Sequence, residues 1–160
     1  MLIGYGPRGF DMSDITIRRA TLADKYEWLR MRLSLWVFAD PQGFEEELDE
    51  ILTDPQQAVF LALRPTGQPC GFLEATIRKY ADGCETGPVG YIEGWYVEED
   101  LRHNGVGASL VRAAEEWARA LGMEEMGSDT WLDNDVSIEA HKKLGYEEAE
   151  RLVHFAKRLN

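Results

Sequence analysis

From residue 15 onward the apolar and polar positions fall into short alternating or near-continuous runs, interleaved with longer stretches at helical spacing. Ile15, Thr16, Ile17 and Arg18 alternate as a strand does, and Thr21 with Asp24 three residues on forms the capping-box pattern that opens a helix. Leu22, Tyr26, Leu29, Leu33 and Trp36 then recur at helical spacing, predicting one buried face up to Asp40 and Pro41, where proline stops the run. A second, acid-rich helix is expected over 44–52. Apolar runs at 58–63 and 71–77 flank Pro65-Thr66-Gly67-Gln68, which is hairpin composition and predicts an antiparallel pair.

A turn-rich loop over 80–87 leads into a strand over 89–97. After Gly105 and Gly107 a helix carries Leu110, Ala114, Trp117 and Leu121 on one face, with Glu115 and Arg119 as an exposed pair and Gly122 at its end. A strand over 125–129, a helix over 136–144 and one or two closing strands over 146–157 complete the chain. This order predicts a mixed α/β (α+β) fold, a central mixed sheet flanked by helices, rather than a regular βα repeat.

A chain of 160 residues is long enough for one core, and a single domain is expected over 12–160. Residues 1–11, rich in Gly and containing Pro7, read as an N-terminal extension outside that core, with Met12 as a second possible start. The 29 acidic residues outnumber 17 basic ones, and the net charge of -12 repels phosphate backbones and anionic bilayers. Nucleic acid and membrane are therefore not expected as partners, whereas small cations are drawn in. Only Cys70 and Cys84 are present, no apolar run has bilayer length, and no basic-then-apolar leader opens the chain, so a cytoplasmic protein is expected. The two cysteines read as buried or idle; a single disulfide is the other reading.

The segment with the most chemistry in it is Arg102-His103-Asn104-Gly105-Val106-Gly107-Ala108, which joins the strand over 89–97 to a helix. Glycines there let main chain approach a ligand, the free N–H groups of a first helical turn favour an anion, and Arg102 adds a charged donor. A tight strand-to-helix connection explains the glycines equally well. The loop has neither the lysine of a Walker motif nor the third glycine of a dinucleotide fingerprint.

Arg-x-x-Gly-x-Gly between a central strand and an amphipathic helix resembles the diphosphate-binding motif of the GNAT acetyltransferases. The block from Asn134 through His141-Lys142-Lys143-Leu144-Gly145-Tyr146 is similar to the closing block of the same family. Within it, Leu29-Arg30, Leu35-Trp36, 75–78 with Tyr80, Gly83-Cys84, Glu93-Gly94, 127–130 and 148–151 resemble the aminoglycoside 6'-N-acetyltransferases. The resemblance implies acetyl-CoA as co-substrate, a cationic aminoglycoside or similar polyamine as acceptor, no metal, and a homodimer, in some relatives through exchanged C-terminal strands. It also implies that the strand over 89–97 splays from the one over 125–129, with the pantetheine arm between them. Trp95, Tyr96 and Val97 would bind that arm through their backbone, residues 103–108 would hold the diphosphate, and Asn134 would touch the CoA arm.

A substrate ammonium must lose a proton before it attacks, and Glu93 is the expected acceptor. It stands among Tyr91, Trp95 and Val97, where partial burial would raise its pKa; an exposed acid on a solvated sheet face is the alternative. Asp129, at a strand end, would hold a second ammonium or merely cap the strand, and Glu150 is a weaker candidate of the same kind. Trp36 and Tyr80 would line the pocket, stacking on sugar rings and cations, although core packing also accounts for Trp36. His141 stands where many family members have the tyrosine that protonates the leaving thiolate, and a surface histidine is the plain alternative. Ala39 stands where related enzymes present a histidine to substrate. Another GNAT activity on a polyamine, small amine or peptide N-terminus, and a non-catalytic CoA- or drug-binding module, are the competing readings.

Overall fold

Five strands and four helices follow the hydrophobic pattern in the computed structural model, which describes residues 14–159; the extension expected over 1–11 lies outside them. The elements are β1 (Thr16–Arg19), α1 (Lys25–Leu35), α2 (Pro41–Thr53), β2 (Gln57–Leu63), β3 (Pro69–Arg78), β4 (Val89–Val97), α3 (Val106–Ala120), β5 (Met126–Ser128) and α4 (Asp135–Lys143). The sheet runs β1-β2-β3-β4-β5, antiparallel throughout except for the parallel pair β4 and β5. The mixed sheet with flanking helices is the expected architecture.

Strand alternation splits the core into two layers. Phe60, Ala62, Leu73, Ala75 and Ile92 face α3, which answers with Val106, Leu110, Val111 and Ala114. Val59, Leu61, Leu63 and Phe72 point to the other side and pack on Trp28, Met31 and Leu48 of α1 and α2. Full burial of each of these large side chains contributes roughly 1.5–3 kcal/mol.

Three local expectations need correcting. The Thr21 and Asp24 capping box is present, but it opens a short 3-10 turn over Leu22–Asp24 before α1 begins at Lys25. Leu22 and Tyr26 face solvent at 65% and 79% exposure; Leu29 and Trp36 pack on the core as expected, but the fully buried side is carried by Trp28, Met31 and Arg32, turned about one residue from the expected face. Pro41 does not merely stop α1: it opens α2, where its missing N–H costs nothing, and the Asp40 carboxylate accepts from the Gly43 amide at 3.1 Å. The closing strands expected over 146–157 are absent from the single chain, where residues 147–159 are exposed with neither strand nor helix. An alternating segment becomes a strand only beside a partner, and β5 offers just the three residues Met126–Ser128 as an edge. Both cysteines are free thiols, Cys70 buried and Cys84 half-buried.

Candidate active site

The site is built around an irregularity in β4. Glu74 of β3 lies opposite Gly94 and Ala75 lies opposite Ile92, so Glu93 is an extra residue with no ladder partner. Such a bulge bends a strand and re-aims its side chains. Gly94, directly after it, leaves room for the indole of Trp36: a Cβ there would stand 2.4 Å from Cη2 of that ring. Trp36 in turn meets Phe44 edge-on at 5.5 Å between ring centres.

On this face, between α1, α2 and the sheet, lies a cavity of about 830 Å³. Its wall includes Trp36, Phe44 and Trp131 together with the carboxylates of Glu47, Glu50, Glu74 and Glu93, and among the described residues Arg32 is the one cation lining it. Aromatic faces beside carboxylates suit a polyamine. Glu93 is not in the half-buried apolar setting expected of it. It is exposed, and Arg78 grips it with two bonds, Nε to Oε1 at 2.9 Å and Nη2 to Oε2 at 2.7 Å. The Arg78 guanidinium also lies 3.5 Å from the centre of the Tyr91 ring. Burial, followed by the nearby Asp129 carboxylate, pushes the Tyr91 hydroxyl up to about 12. Asp129 is exposed just past β5 and belongs to this Arg78 and Tyr91 group rather than to the cavity wall.

The other half of the site lies along the far edge of β4. Among the described residues it pairs with β5 only at Gly90, Tyr91 and Ile92, opposite Met126, Gly127 and Ser128, and from Glu93 to Val97 no described strand lies beside this edge. Beyond it the chain reaches α3 through Arg102, whose Nε donates to the Val97 carbonyl at 2.9 Å, and His103, at φ 63. Asn104 Nδ2 donates to the Arg102 carbonyl at 3.0 Å. Gly105 is the N-cap, left-handed at φ 85, and no side chain caps the turn. The amides of Val106, Gly107 and Ala108 are thus left for an anion. Gly107 has a second reason to be glycine, since a Cβ would stand 2.7 Å from the indole of Trp95. Trp95 Nε1 is itself buried without a partner among the described residues. An unpartnered strand edge leading to an uncapped helix end fits an extended diphosphate ligand such as CoA.

His141 bridges α4 and β5. Its Nδ1 lies 2.7 Å from the Ser137 carbonyl, which can only accept, so that nitrogen carries a proton; Nε2 lies 2.8 Å from Ser128 Oγ. The ring also meets Trp95 edge-on at 5.4 Å between centres. Asn134 caps α4, its side-chain oxygen accepting from the Ser137 amide at 3.1 Å. Tyr80 and Glu150 are exposed, and neither lines the cavity within one chain. Sequence reasoning missed Glu74, Arg32, Phe44, Glu47, Glu50 and Trp131. Glu74 carried a signal, being a lone acid in the apolar run Gly71-Phe72-Leu73-Glu74-Ala75. Among the described residues no cluster of His, Cys, Asp and Glu could hold a metal, and no helix is long and apolar enough to cross a membrane.

Residues 24–146 match the acetyltransferase (GNAT) family. Curated relatives named aminoglycoside N(6')-acetyltransferase type 1 include one from Stenotrophomonas maltophilia, 43% identical over 88% of this chain and 91% of its own length. Another, from Klebsiella aerogenes, is 40% identical over 89% of this chain and 96% of its own. Among solved structures, AAC(6')-Iy in complex with the bisubstrate analogue CoA-S-monomethyl-acetylneamine superposes with a TM-score of 0.86 at 34% identity, covering 91% of this chain and 99% of that one. The matched span runs from the capping box through both halves of the site, and the chain belongs to the GNAT family of acetyltransferases.

Proposed function

We propose that the protein is an aminoglycoside 6'-N-acetyltransferase that uses acetyl-CoA. One observation carries the reading: Glu93 belongs both to the wall of the acid-lined cavity and to the bulge from which the outer edge of β4, the one away from β3, runs free toward the α3 N-terminus. A cation held in the cavity and a thioester laid along that edge would meet there.

Acetyl-CoA supplies an acyl carbon open to attack by an uncharged amine, with CoA leaving as the thiol. In this reading the amides of Val106, Gly107 and Ala108 hold the diphosphate, and Arg102, His103 and Asn104 shape its approach. Backbone groups of Trp95, Tyr96 and Val97 pair with the pantetheine arm. One N–H there faces the thioester oxygen, a contribution of order ~3 kcal/mol per donor. Asn134, whose oxygen caps α4, would touch the arm through its amide nitrogen.

Glu93 accepts the ammonium proton directly or through water, and Arg78 acts as its positioning residue. Asp129, beside Tyr91, stands ready for a second ammonium. With a second proton on Nε2, His141 would hand that proton to Ser128 as the Ser128 hydroxyl gives its own to the leaving thiolate. Tyr80 and Glu150, exposed and outside the cavity wall, would add an aromatic face and a carboxylate for a substrate that reaches past that wall.

We also read the protein as a cytoplasmic homodimer. Leu152, Val153, Phe155 and Leu159 are exposed on a segment with no regular structure of its own, as a strand awaiting a second copy would be. Free thiols and an acetyl-CoA co-substrate fit the cytoplasm.

Initial rates of CoA release, with kanamycin, tobramycin, spermidine and a free-N-terminal peptide as acceptors, test the assignment. Aminoglycosides should give the highest kcat/KM. Preference for spermidine or the peptide would make this a GNAT enzyme of another amine, and binding without turnover would make it a binding module.

A further inference from the structure

The cavity that is to receive a polycation already holds a cation of its own. Arg32 is 5% exposed yet lines the wall, its guanidinium 4.0 Å from the centre of the Phe44 ring and 5.3 Å from that of Trp36. Its Nη2 donates to Glu47 at 3.1 Å. Its Nε lies 2.9 Å from Glu74 Oε1 but without the alignment of a hydrogen bond, and among the described residues is a buried donor with no hydrogen-bond partner.

Glu74 is equally buried, at 5% exposure, and stands on β3 across from Gly94, next to the bulge. Trp28 Nε1 donates to the same oxygen, Oε1, at 2.7 Å. Within the described residues Oε2 takes no hydrogen bond, and Glu74 lines the cavity. The groups facing this carboxylate are Arg32 from α1, Glu47 and Glu50 from α2, and Glu93 from β4, while β2 presents the uncharged Val59 and Gln57. Mechanism through Glu93 leaves Glu74 without a task.

Two unit charges in a part-buried site interact over many ångströms, so an uncancelled Arg32 would repel every substrate ammonium entering beside it. We propose that Glu74 is a specificity-determining residue: ionised, it completes the cancellation of Arg32 that the exposed Glu47 begins and offers a carboxylate oxygen to a substrate ammonium; protonated, it leaves Arg32 to Glu47 alone and weakens polycation binding. The inference rests on the aminoglycoside reading. Burial pushes the Glu74 carboxyl up to about 7, against the pull of Arg32 and the Trp28 hydrogen bond, so the change falls in the working range of a cytoplasmic enzyme.

The test compares KM for kanamycin across pH ~6 to ~8 in the parent, Glu74→Gln and the double variant Arg32→Met with Glu74→Gln, with CoA affinity measured by calorimetry as the check on folding. The amines of kanamycin titrate alike in all three, so differences between them isolate Glu74. In the parent KM falls about tenfold as pH rises through neutrality, and Glu74→Gln keeps a KM about tenfold above the parent's upper-pH value with that limb gone. The double variant, with the cation removed too, returns to within about threefold of the parent's upper-pH KM and shows no limb either. A Glu74→Gln protein that binds CoA and keeps the parent's KM and limb overturns the proposal. So does a double variant as weak as the single one, which would mark a packing role only. If Glu74→Gln does not bind CoA, the double variant decides, and a surviving limb rejects the idea. A parent that acetylates spermidine and no aminoglycoside refutes the functional reading, and the same comparison run on spermidine still judges Glu74.

Discussion

A Cβ on Gly94 would penetrate the Trp36 indole at 2.4 Å, so the strand must be bare where the ring lies across it. The contact joins the cavity wall to the strand that is to carry the thioester. Gly94→Ala should displace the indole, with an overpacking cost of about 1–3 kcal/mol, and raise the aminoglycoside KM at least about tenfold while CoA affinity holds. Steady-state kinetics beside calorimetry checks both halves. Asp24 offers a test of stability alone. Its carboxylate takes two 2.8 Å bonds from Arg18, and that pairing lowers it from 3.8 to about 2. A depressed carboxylate stabilises the fold above the unfolded value and loses that contribution as pH falls through the folded one. Urea unfolding should therefore show Asp24→Asn about 2 kcal/mol less stable than the parent at neutral pH, the gap closing as pH falls below about 4 toward 2. Single acids were only half legible from sequence. Glu93 and Glu74 both interrupt apolar strands, but nothing in the string of letters reveals that Arg78 grips one and that Trp28 and Arg32 bury the other.

Elements were easier to read than their phases. Strand runs with turn residues between them marked β2, β3 and β4, and the glycine-flanked amphipathic stretch marked α3, whose Glu115 and Arg119 pair at 3.3 Å. The buried side of α1 was only partly legible: Leu29 and Trp36 pack on the core, but Trp28, Met31 and Arg32, on a face turned about one residue away, are the ones fully enclosed. The C-terminal segment failed for a different reason: alternation shows what a strand would look like, not whether a partner strand stands beside it. Helix α2 carries Phe44, Glu47 and Glu50 into the cavity wall, and Asp40 caps it. Removing the cap with Asp40→Ala should lower stability by about 1 kcal/mol and raise the aminoglycoside KM, leaving CoA binding as it was. Thermal unfolding and the same paired kinetics read this.

At the scale of the molecule, a net charge of -12 concentrates polycations near an acid-lined mouth, an effect that salt weakens. The proposed dimer places the exposed Leu152, Val153 and Phe155 against a second copy. Sedimentation velocity should then show a dimer for the full chain and a monomer once residues 147–160 are deleted; a full chain that sediments as a monomer contradicts the exchange. The most direct test concerns the junction at Glu93, where the cavity and the free edge of β4 are to form one continuous site. A CoA molecule joined through sulfur and a short linker to the 6'-nitrogen of an aminoglycoside would occupy both halves at once. Calorimetry should find it bound at least about a hundredfold tighter than CoA alone, because the second half binds at high effective concentration. A conjugate that binds no tighter than CoA would mean that the two halves do not meet.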